Sequence, residues 1–225
     1  MSDHGPLRTY GRIKSRPIKP RQAALLESLL PRLRVPAEAF DPHSLKPDAK
    51  AVWVEIGFGG GEHLAAQAAA HPDALLIGAE PFQNGMASAL RHIDEQHLEN
   101  VRLHDGDARE LLARLPDASV ERIFILFPDP WPKLRHHKRR LIAPAFVALL
   151  ASRIASGGYL HCATDWQHYA EQMLEVLSKE PLLANLHDGY APAPANPLAS
   201  RPTTKFHARG KRFGHGVWDL VFVRR

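Results

Sequence analysis

Short apolar runs alternate with amphipathic stretches through the middle of the chain. The apolar runs predict strands at 51–56, 74–78, 101–104, 120–127 and 158–162. Between them, the helical spacing of apolar positions predicts helices at 61–70, 83–96, 108–115 and 141–154. Strands that alternate strictly with helices favour a parallel sheet covered on both faces, so the sequence predicts an α/β fold.

This rhythm changes at both ends of the chain. Two further strands are predicted at 182–186 and 217–223, joined by a long proline-rich connection without a clear helix. An antiparallel last strand would explain that connection, so we expect a mostly parallel seven-stranded sheet whose last strand is antiparallel. Near the N-terminus, spaced leucines predict a helix interrupted by Pro31. We therefore expect a basic N-terminal arm at 1–21 and a single domain at 22–225.

Composition narrows the class of protein. The chain has 225 residues, 44% of them hydrophobic, which suits one compact domain with a sizeable core. No apolar run is long enough to cross a bilayer, and the basic arm lacks the apolar stretch of a secretory signal. The single cysteine, Cys162, cannot form an internal disulfide and fits a reducing compartment. The sequence predicts a cytoplasmic protein with no membrane partner.

Positive charge is concentrated in three segments. The net charge of +5 and the pI near 9.5 indicate a polyanionic partner without identifying it. The segments are the N-terminal arm, 133–140 and 201–212, and the arm carries no acidic residue from 8 to 21. If they converge on one face they form a nucleic-acid-binding surface; otherwise each is a solvated run of charge.

A glycine-rich turn follows the first predicted strand, at the sheet edge where open parallel sheets bind ligands. The strand carries Glu55, and Gly57, Gly59 and Gly61 come directly after it. Such a turn lets the backbone approach a ligand closely, although it can also serve only to pack the next helix on the strand. Its spacing differs from the G-x-G-x-x-G of dinucleotide-binding enzymes.

Carboxylates at consecutive strand ends indicate a nucleoside ligand. Glu80 ends the second strand, where it can accept hydrogen bonds from both ribose hydroxyls. Asp107 follows the third strand, where an adenine would lie, and Glu55 suits a cation such as the methionine ammonium of S-adenosylmethionine. Each alone could be a helix cap or a solvated acid. Together they favour S-adenosylmethionine, which has no phosphate and needs no P-loop lysine.

The fourth strand runs into a loop in which prolines flank Asp129 and restrict its conformation. Asp165 ends the fifth strand, where it could cap the next helix or contact a base or the cofactor. Aromatic residues that could stack a flipped base are Trp131, Trp166 and Phe206, whereas Trp53 and Trp218 fall within strands and are assigned to the core. The adjacent histidines at 136 and 137 lie among cationic residues, so no metal is expected.

Two long segments resemble a known family. The segments 127–141 and 201–210, the latter continued by 214–220, are similar to the signatures of the tRNA (guanine-N7-)-methyltransferase family. The resemblance covers nearly the whole chain beyond the arm and implies a Rossmann-like class I S-adenosylmethionine-dependent methyltransferase fold. It also implies methyl transfer to N7 of guanosine 46 in the tRNA variable loop. The bacterial members act as single chains, so no obligate protein partner is expected, and the state is monomer or homodimer.

The same resemblance assigns site residues. With Gly57 of the glycine turn, the cofactor-binding positions are Glu55, Glu80, Asp107 and Asp129, and Asp129 also falls on the catalytic position. The substrate-binding positions are Lys133, Asp165, Thr204, Lys205, Phe206 and His207. The family usually has Glu where this chain has His207, so the hydrogen bond which that Glu accepts must be made differently.

The chemistry of guanine N7 agrees with this assignment. N7 is a bare lone pair with no proton to lose, so no strong general base is required. Alignment of N7, the methyl carbon and the sulfur then carries most of the catalysis. Asp129 could stabilise the positive charge that develops on the guanine, or it could hold the N1–H and amino edge of the base. The sequence leaves both roles open.

Three other classes of protein fit less well. An NAD(P) reductase is disfavoured by the glycine spacing and by the lack of a hydride-transfer pair such as Tyr-x-x-x-Lys. A small-molecule methyltransferase leaves the three basic segments unexplained. A non-catalytic RNA-binding protein on the same fold would be expected to lose the cofactor carboxylates or the glycine turn, and this chain has both.

Overall fold

The computed structural model describes residues 17–192 and 216–225. In this part of the chain seven strands form one sheet, in the order β3-β2-β1-β4-β5-β7-β6. The strands are β1 Ala51–Ile56, β2 Ala74–Ala79, β3 Val101–His104, β4 Val120–Leu126, β5 Ile154–Thr164, β6 Leu183–Asn185 and β7 Trp218–Arg224. β7 is antiparallel to both its neighbours, and the β1–β2, β2–β3, β1–β4 and β4–β5 pairs are parallel. The predicted α/β class and the antiparallel last strand are confirmed.

Helices cover both faces of the sheet. They are α1 Pro20–Ser28, α2 Leu30–Leu33, α3 Glu62–Ala70, α4 Gln83–Glu95, α5 Ala108–Arg114, α6 Pro144–Arg153 and α7 Gln167–Ser178. Successive residues of a strand point to opposite faces, so Val52 and Val54 pack with α5, α6 and α7 while Trp53 packs with α2, α3 and α4. The assignment of Trp53 to the core is confirmed.

Proline sets two helix starts that differ from the predicted ones. The predicted helix at 141–154 begins at Pro144, because Ala143 is extended and proline is favoured in the first turn of a helix. The interruption predicted at Pro31 is present, but the break between α1 and α2 falls at Leu29 and Pro31 lies in the first turn of α2. α1 begins at Pro20, and the end of the basic arm therefore lies in this helix.

Two features noted in the sequence, the single cysteine and the lack of long apolar runs, can be followed in the fold. Cys162 is fully buried in β5, and burial raises the pKa of its thiol well above the usual value, so the residue is an inert part of the core. Among the described residues, no helix has the length and apolar character needed to span a membrane.

Candidate active site

The glycine turn after β1 is open at its first glycine and closely packed at its last. Gly57, Gly59 and Gly61 all have positive φ, at 71°, 55° and 80°. A Cβ on Gly57 would meet nothing within 4 Å, so this part of the turn is open to a ligand. A Cβ on Gly61 would lie 2.5 Å from the Cβ of Ala89, so this glycine lets the start of α3 pack against α4.

Glu80 follows β2 and is held rigidly by the backbone. Its Oε2 accepts a hydrogen bond from the Gly59 amide at 2.8 Å and its Oε1 accepts one from the Phe82 amide at 3.0 Å. Burial raises the pKa of Glu80 above its usual value, these two hydrogen bonds oppose the rise, and the negative charges of Asp129 and Glu55 add to it. Each carboxylate oxygen keeps a lone pair for a further donor, as two ribose hydroxyls require.

Glu55 is buried and paired with a histidine that sequence reasoning missed. Its Oε2 lies 2.8 Å from Nδ1 of His63, in the first turn of α3, and the two side chains are 5% and 2% exposed. Oε1 of Glu55 accepts no hydrogen bond from the described residues, which leaves it for a cationic ligand. The sequence signal for this pairing was the position of His63, two residues after Gly61. A residue there lies in the first turn of the helix, next to the end of the preceding strand.

Asp107 caps the next helix. Its Oδ1 accepts hydrogen bonds from the backbone amide and Nε of Arg109 at 2.9 and 2.8 Å, and Oδ2 lies 2.5 Å from Nη2 of the same residue. Burial raises the pKa of Asp107, but the hydrogen bonds and charge of Arg109 outweigh it, so the pKa is lowered. The capping role is confirmed, and the contact with adenine stays a prediction.

The loop after β4 has a strained backbone and carries Asp129. Phe127 and Trp131 have positive φ values of 55° and 44°, a conformation that costs a non-glycine residue on the order of 1–3 kcal/mol. The Phe127 amide donates a 2.7 Å hydrogen bond to the Ala163 carbonyl, which fixes the loop to β5. Asp129 is exposed, and it is close enough to Glu80 to raise the pKa of that carboxyl. The structure thus brings Asp129 near Glu80, one of the predicted cofactor-binding residues.

The basic segment 133–140 divides into an exposed part and a buried end. Leu134–Arg139 forms a 3-10 helix in which Arg135 and Lys138 are exposed, as is Lys133 before it. Arg140 is only 4% exposed, so its inclusion in a solvated or phosphate-binding run was wrong. Some desolvation and the neighbouring cations lower the pKa of His136 and His137, so these histidines hold a proton less readily than an isolated histidine.

The start of α7 lies at the same edge of the sheet as the loop that carries Asp129. We call that loop and the start of α7 the two walls of the candidate site. Trp166 is the N-cap residue of α7, with no side-chain cap, so the capping role considered for Asp165 is wrong. The described residues around an open concavity at this point are Asp165, Trp166, Gln167, His168, Glu171 and Trp218. Trp218 is half-buried at this concavity, and its assignment to the core was wrong.

The predicted site residues divide between the described part of the chain and the rest. Thr204, Lys205, Phe206 and His207 lie outside the described residues, as does the basic segment 201–212 and the arm up to residue 16. In the described part, the structure brings Glu55, Gly57, Glu80 and Asp129 together at the carboxyl edge of the sheet. Asp165 and Lys133 follow β5 and β4 at that same edge.

The sheet order, the reversed β7 and the glycine turn with its acidic neighbours define a Rossmann-like class I S-adenosylmethionine-dependent methyltransferase fold. A crystal structure of the 16S rRNA methyltransferase KamB is similar in fold, with a TM-score of 0.60 and 18% sequence identity, covering 85% of this chain and 99% of that one. A family model described as "Putative methyltransferase" matches residues 49–220.

Proteins of similar sequence identify the family within this class of methyltransferases. A tRNA (guanine-N(7)-)-methyltransferase of Caulobacter sp. (strain K31) is 60% identical over 178 residues, which is 79% of this chain and 79% of that protein. One from Paraburkholderia xenovorans (strain LB400) is 50% identical over 213 residues, covering 91% of this chain and 78% of that protein. The chain belongs to the tRNA (guanine-N7-)-methyltransferase family.

Proposed function

We propose that this protein transfers a methyl group from S-adenosylmethionine to N7 of guanosine 46 in the variable loop of tRNA. One observation carries the proposal: Asp129 is exposed and near enough to the buried Glu80 for its charge to raise the pKa of that carboxyl, and a basic segment follows it directly. A methyl donor and a polyanionic acceptor can therefore meet at one sheet edge. Relatives named as tRNA (guanine-N(7)-)-methyltransferases support the choice of base and of nucleic acid.

The residues at this edge fit the cofactor. Glu80 would accept hydrogen bonds from the ribose hydroxyls, the free Oε1 of Glu55 would face the methionine ammonium, and the open turn at Gly57 gives the ligand room. Asp107 would lie beside the adenine. When bound, S-adenosylmethionine supplies a methyl group on a positively charged sulfur, and the negative charges of this edge suit that cation.

Asp129 is the proposed catalytic residue. Guanine N7 has no proton to remove, so the chain needs no general base, and the contribution of Asp129 is charge and position. Its carboxylate would offset the positive charge that develops on the guanine, or accept hydrogen bonds from the N1–H and amino edge and so orient N7. The flanking prolines and the strained backbone at Phe127 restrict the loop, so the Asp129 carboxylate is positioned before any substrate binds.

The tRNA would be bound by separate groups for phosphate and base. Exposed Lys133, Arg135 and Lys138 would contact phosphates and set orientation, while the pocket selects the base. Asp165 and the 204–207 segment are the further proposed substrate contacts, and Trp131 or Trp166 would stack the base. We expect a cytoplasmic enzyme that acts as a monomer or homodimer without an obligate protein partner.

The test is methyl transfer from labelled S-adenosylmethionine to unmodified tRNA transcripts, with chemical cleavage at 7-methylguanosine to map the product. We expect one cut in the variable loop, lost when guanosine 46 is replaced by adenosine. A cut elsewhere would overturn the position but keep the reaction. No label in any tRNA, with cofactor and tRNA binding demonstrated, would overturn the proposed reaction.

A further inference from the structure

Arg140 connects the loop that carries Asp129 to helix α7. Its Nε donates a 2.8 Å hydrogen bond to the carbonyl of Pro130, the residue after Asp129. On the other side, Nη1 donates to Oε1 of Gln172 and lies 3.2 Å from Nδ1 of His168. The guanidinium carbon lies 4.8 Å from the centre of the Tyr169 ring. One side chain therefore reaches both walls of the site.

The surroundings of Arg140 are unusual for a cation. It is 4% exposed, and no carboxylate among the described residues forms an ion pair with it. Its Nη2 has no hydrogen-bond partner in the part of the chain that the structure describes. Burial lowers the pKa of this guanidinium, as expected where no anion compensates the charge. A buried cation of this kind is costly, and packing alone would be served better by an apolar residue.

Neighbouring contacts make the same connection. The amide of Ile142 donates to the Tyr169 hydroxyl at 3.1 Å, and Nε2 of Gln172 donates to the Ile142 carbonyl at 3.3 Å. The rings of His137 and His168 lie 5.0 Å apart. The chain from His137 to Ile142 is thus fixed along the first two turns of α7. On the other side, the Asp129 loop is contacted by Arg140 through the Pro130 carbonyl and by Arg139, whose guanidinium carbon lies 5.0 Å from the centre of the Trp131 ring.

We propose that Arg140 is a positioning residue which sets the separation of the two walls of the methyl-acceptor site, the Asp129 loop and the Asp165–Trp166 start of α7. This inference rests on the proposed function, since the walls matter only if a base is bound between them. It separates Arg140 from the exposed cations before it. Those residues hold the polyanion, whereas Arg140 holds the carbonyl beside the catalytic carboxylate and never contacts a phosphate.

The fork geometry of arginine explains the residue type. Its planar guanidinium donates in two directions at once, to Pro130 on one wall and Gln172 on the other. A lysine at this position keeps the charge but donates from one point and cannot hold both walls. A glutamine keeps neither the charge nor the reach. Small errors in the placement of reacting groups cost rate steeply, on the order of 100-fold for about 1 Å.

The test compares Arg140→Lys and Arg140→Gln with Arg135→Gln, a matched loss of charge from the exposed part of the segment. For both Arg140 variants we expect a single-turnover methylation rate lowered by about 10–100-fold, with tRNA affinity, its salt dependence and the Kd of S-adenosylmethionine unchanged. Arg135→Gln should show the opposite: weaker, less salt-dependent tRNA binding and a normal rate at saturating tRNA. An Arg140→Gln protein that behaves like Arg135→Gln, or like the wild type, overturns the proposal.

Hydrogen exchange supplies a readout that does not depend on activity. In the free protein, Arg140→Lys should speed amide exchange in 127–133 and 165–172 and leave the strands β1 and β2 unchanged. Unchanged exchange in these two segments overturns the positioning role even if the wild-type protein methylates tRNA. A wild type that transfers no methyl group, with exchange changed as expected, overturns the proposed function and leaves the link between the walls standing.

Discussion

Nδ1 of His63 lies 2.8 Å from Oε2 of Glu55, and both side chains are almost fully buried. The pair joins the first turn of α3 to the end of β1, directly behind the glycine turn. A buried carboxylate needs a hydrogen-bonding partner, and such a partner also fixes its orientation. His63 therefore fixes the orientation of Glu55, whose other oxygen accepts no hydrogen bond from the described residues.

Replacing His63 by alanine should weaken the binding of S-adenosylmethionine about 10-fold, because a lost hydrogen bond to a charged group is worth about 1.5 kcal/mol or more. Isothermal titration calorimetry of the free protein with the cofactor measures this. His43, which is exposed, provides the control substitution His43→Ala, for which no change is expected. Equal affinities for the two variants would exclude an orienting role for His63.

The raised pKa of Glu80 predicts an acid-sensitive cofactor site. Burial is the main cause of the rise, so Glu80 takes up a proton at a higher pH than an ordinary glutamate. The ionised form accepts the ribose hydroxyls, and affinity for S-adenosylmethionine should therefore fall as the pH is lowered through this raised pKa. Binding measured from neutral to mildly acidic pH tests this, and Glu80→Gln should bind weakly with a flat profile. A wild-type profile as flat as that of Glu80→Gln would contradict the assignment.

Asp129→Ala should abolish methyl transfer and leave the fold intact, because the carboxylate is exposed and supports no other part of the structure that we describe. The negative charge of Asp129 also raises the pKa of Glu80, so its loss should move the acid-sensitive step in cofactor binding to lower pH. Asp73→Asn, at the opposite edge of the sheet, is the control for both measurements. A fully active Asp129→Ala enzyme would remove the role we give this residue.

Much of the fold, and the meeting of the strand-end acids at one edge of the sheet, follow from sequence patterns, and the exceptions have physical reasons. Strands, glycines and strand-end acids repeat a local pattern, and the edge of a parallel sheet brings their ends together. The burial of Arg140 could not be predicted, because a run of cationic residues in a sequence gives no sign of which one is buried. Here the 3-10 helix ends at Arg139, and the next residue, Arg140, is directed into the interior. The pairing of His63 with Glu55 and the half-buried position of Trp218 depend on tertiary packing, which no spacing along the chain encodes.

The exposed cations of the basic segment should contribute to tRNA binding through phosphate contacts alone. Arg135→Gln should weaken binding of all tRNA sequences and lower the slope of log K against log salt concentration by about one. Lys50, exposed at the opposite edge of the sheet, supplies the control Lys50→Gln. If both variants lose the same affinity, the effect is one of overall charge and the segment has no special role.

Gly61→Ala should destabilise the protein more than a glycine substitution that strains only the backbone. Gly61 has a φ of 80°, and a Cβ there would lie 2.5 Å from the Cβ and 2.7 Å from the Cα of Ala89, atoms that cannot move without shifting α4. A left-handed alanine costs about 1–2 kcal/mol, and overpacking adds about 1–3 kcal/mol. Gly157 has a φ of 77° but open space around it, so Gly157→Ala carries the backbone cost alone. Urea denaturation of the two variants separates these contributions, and equal losses of unfolding free energy would mean that α3 and α4 can move apart at this contact.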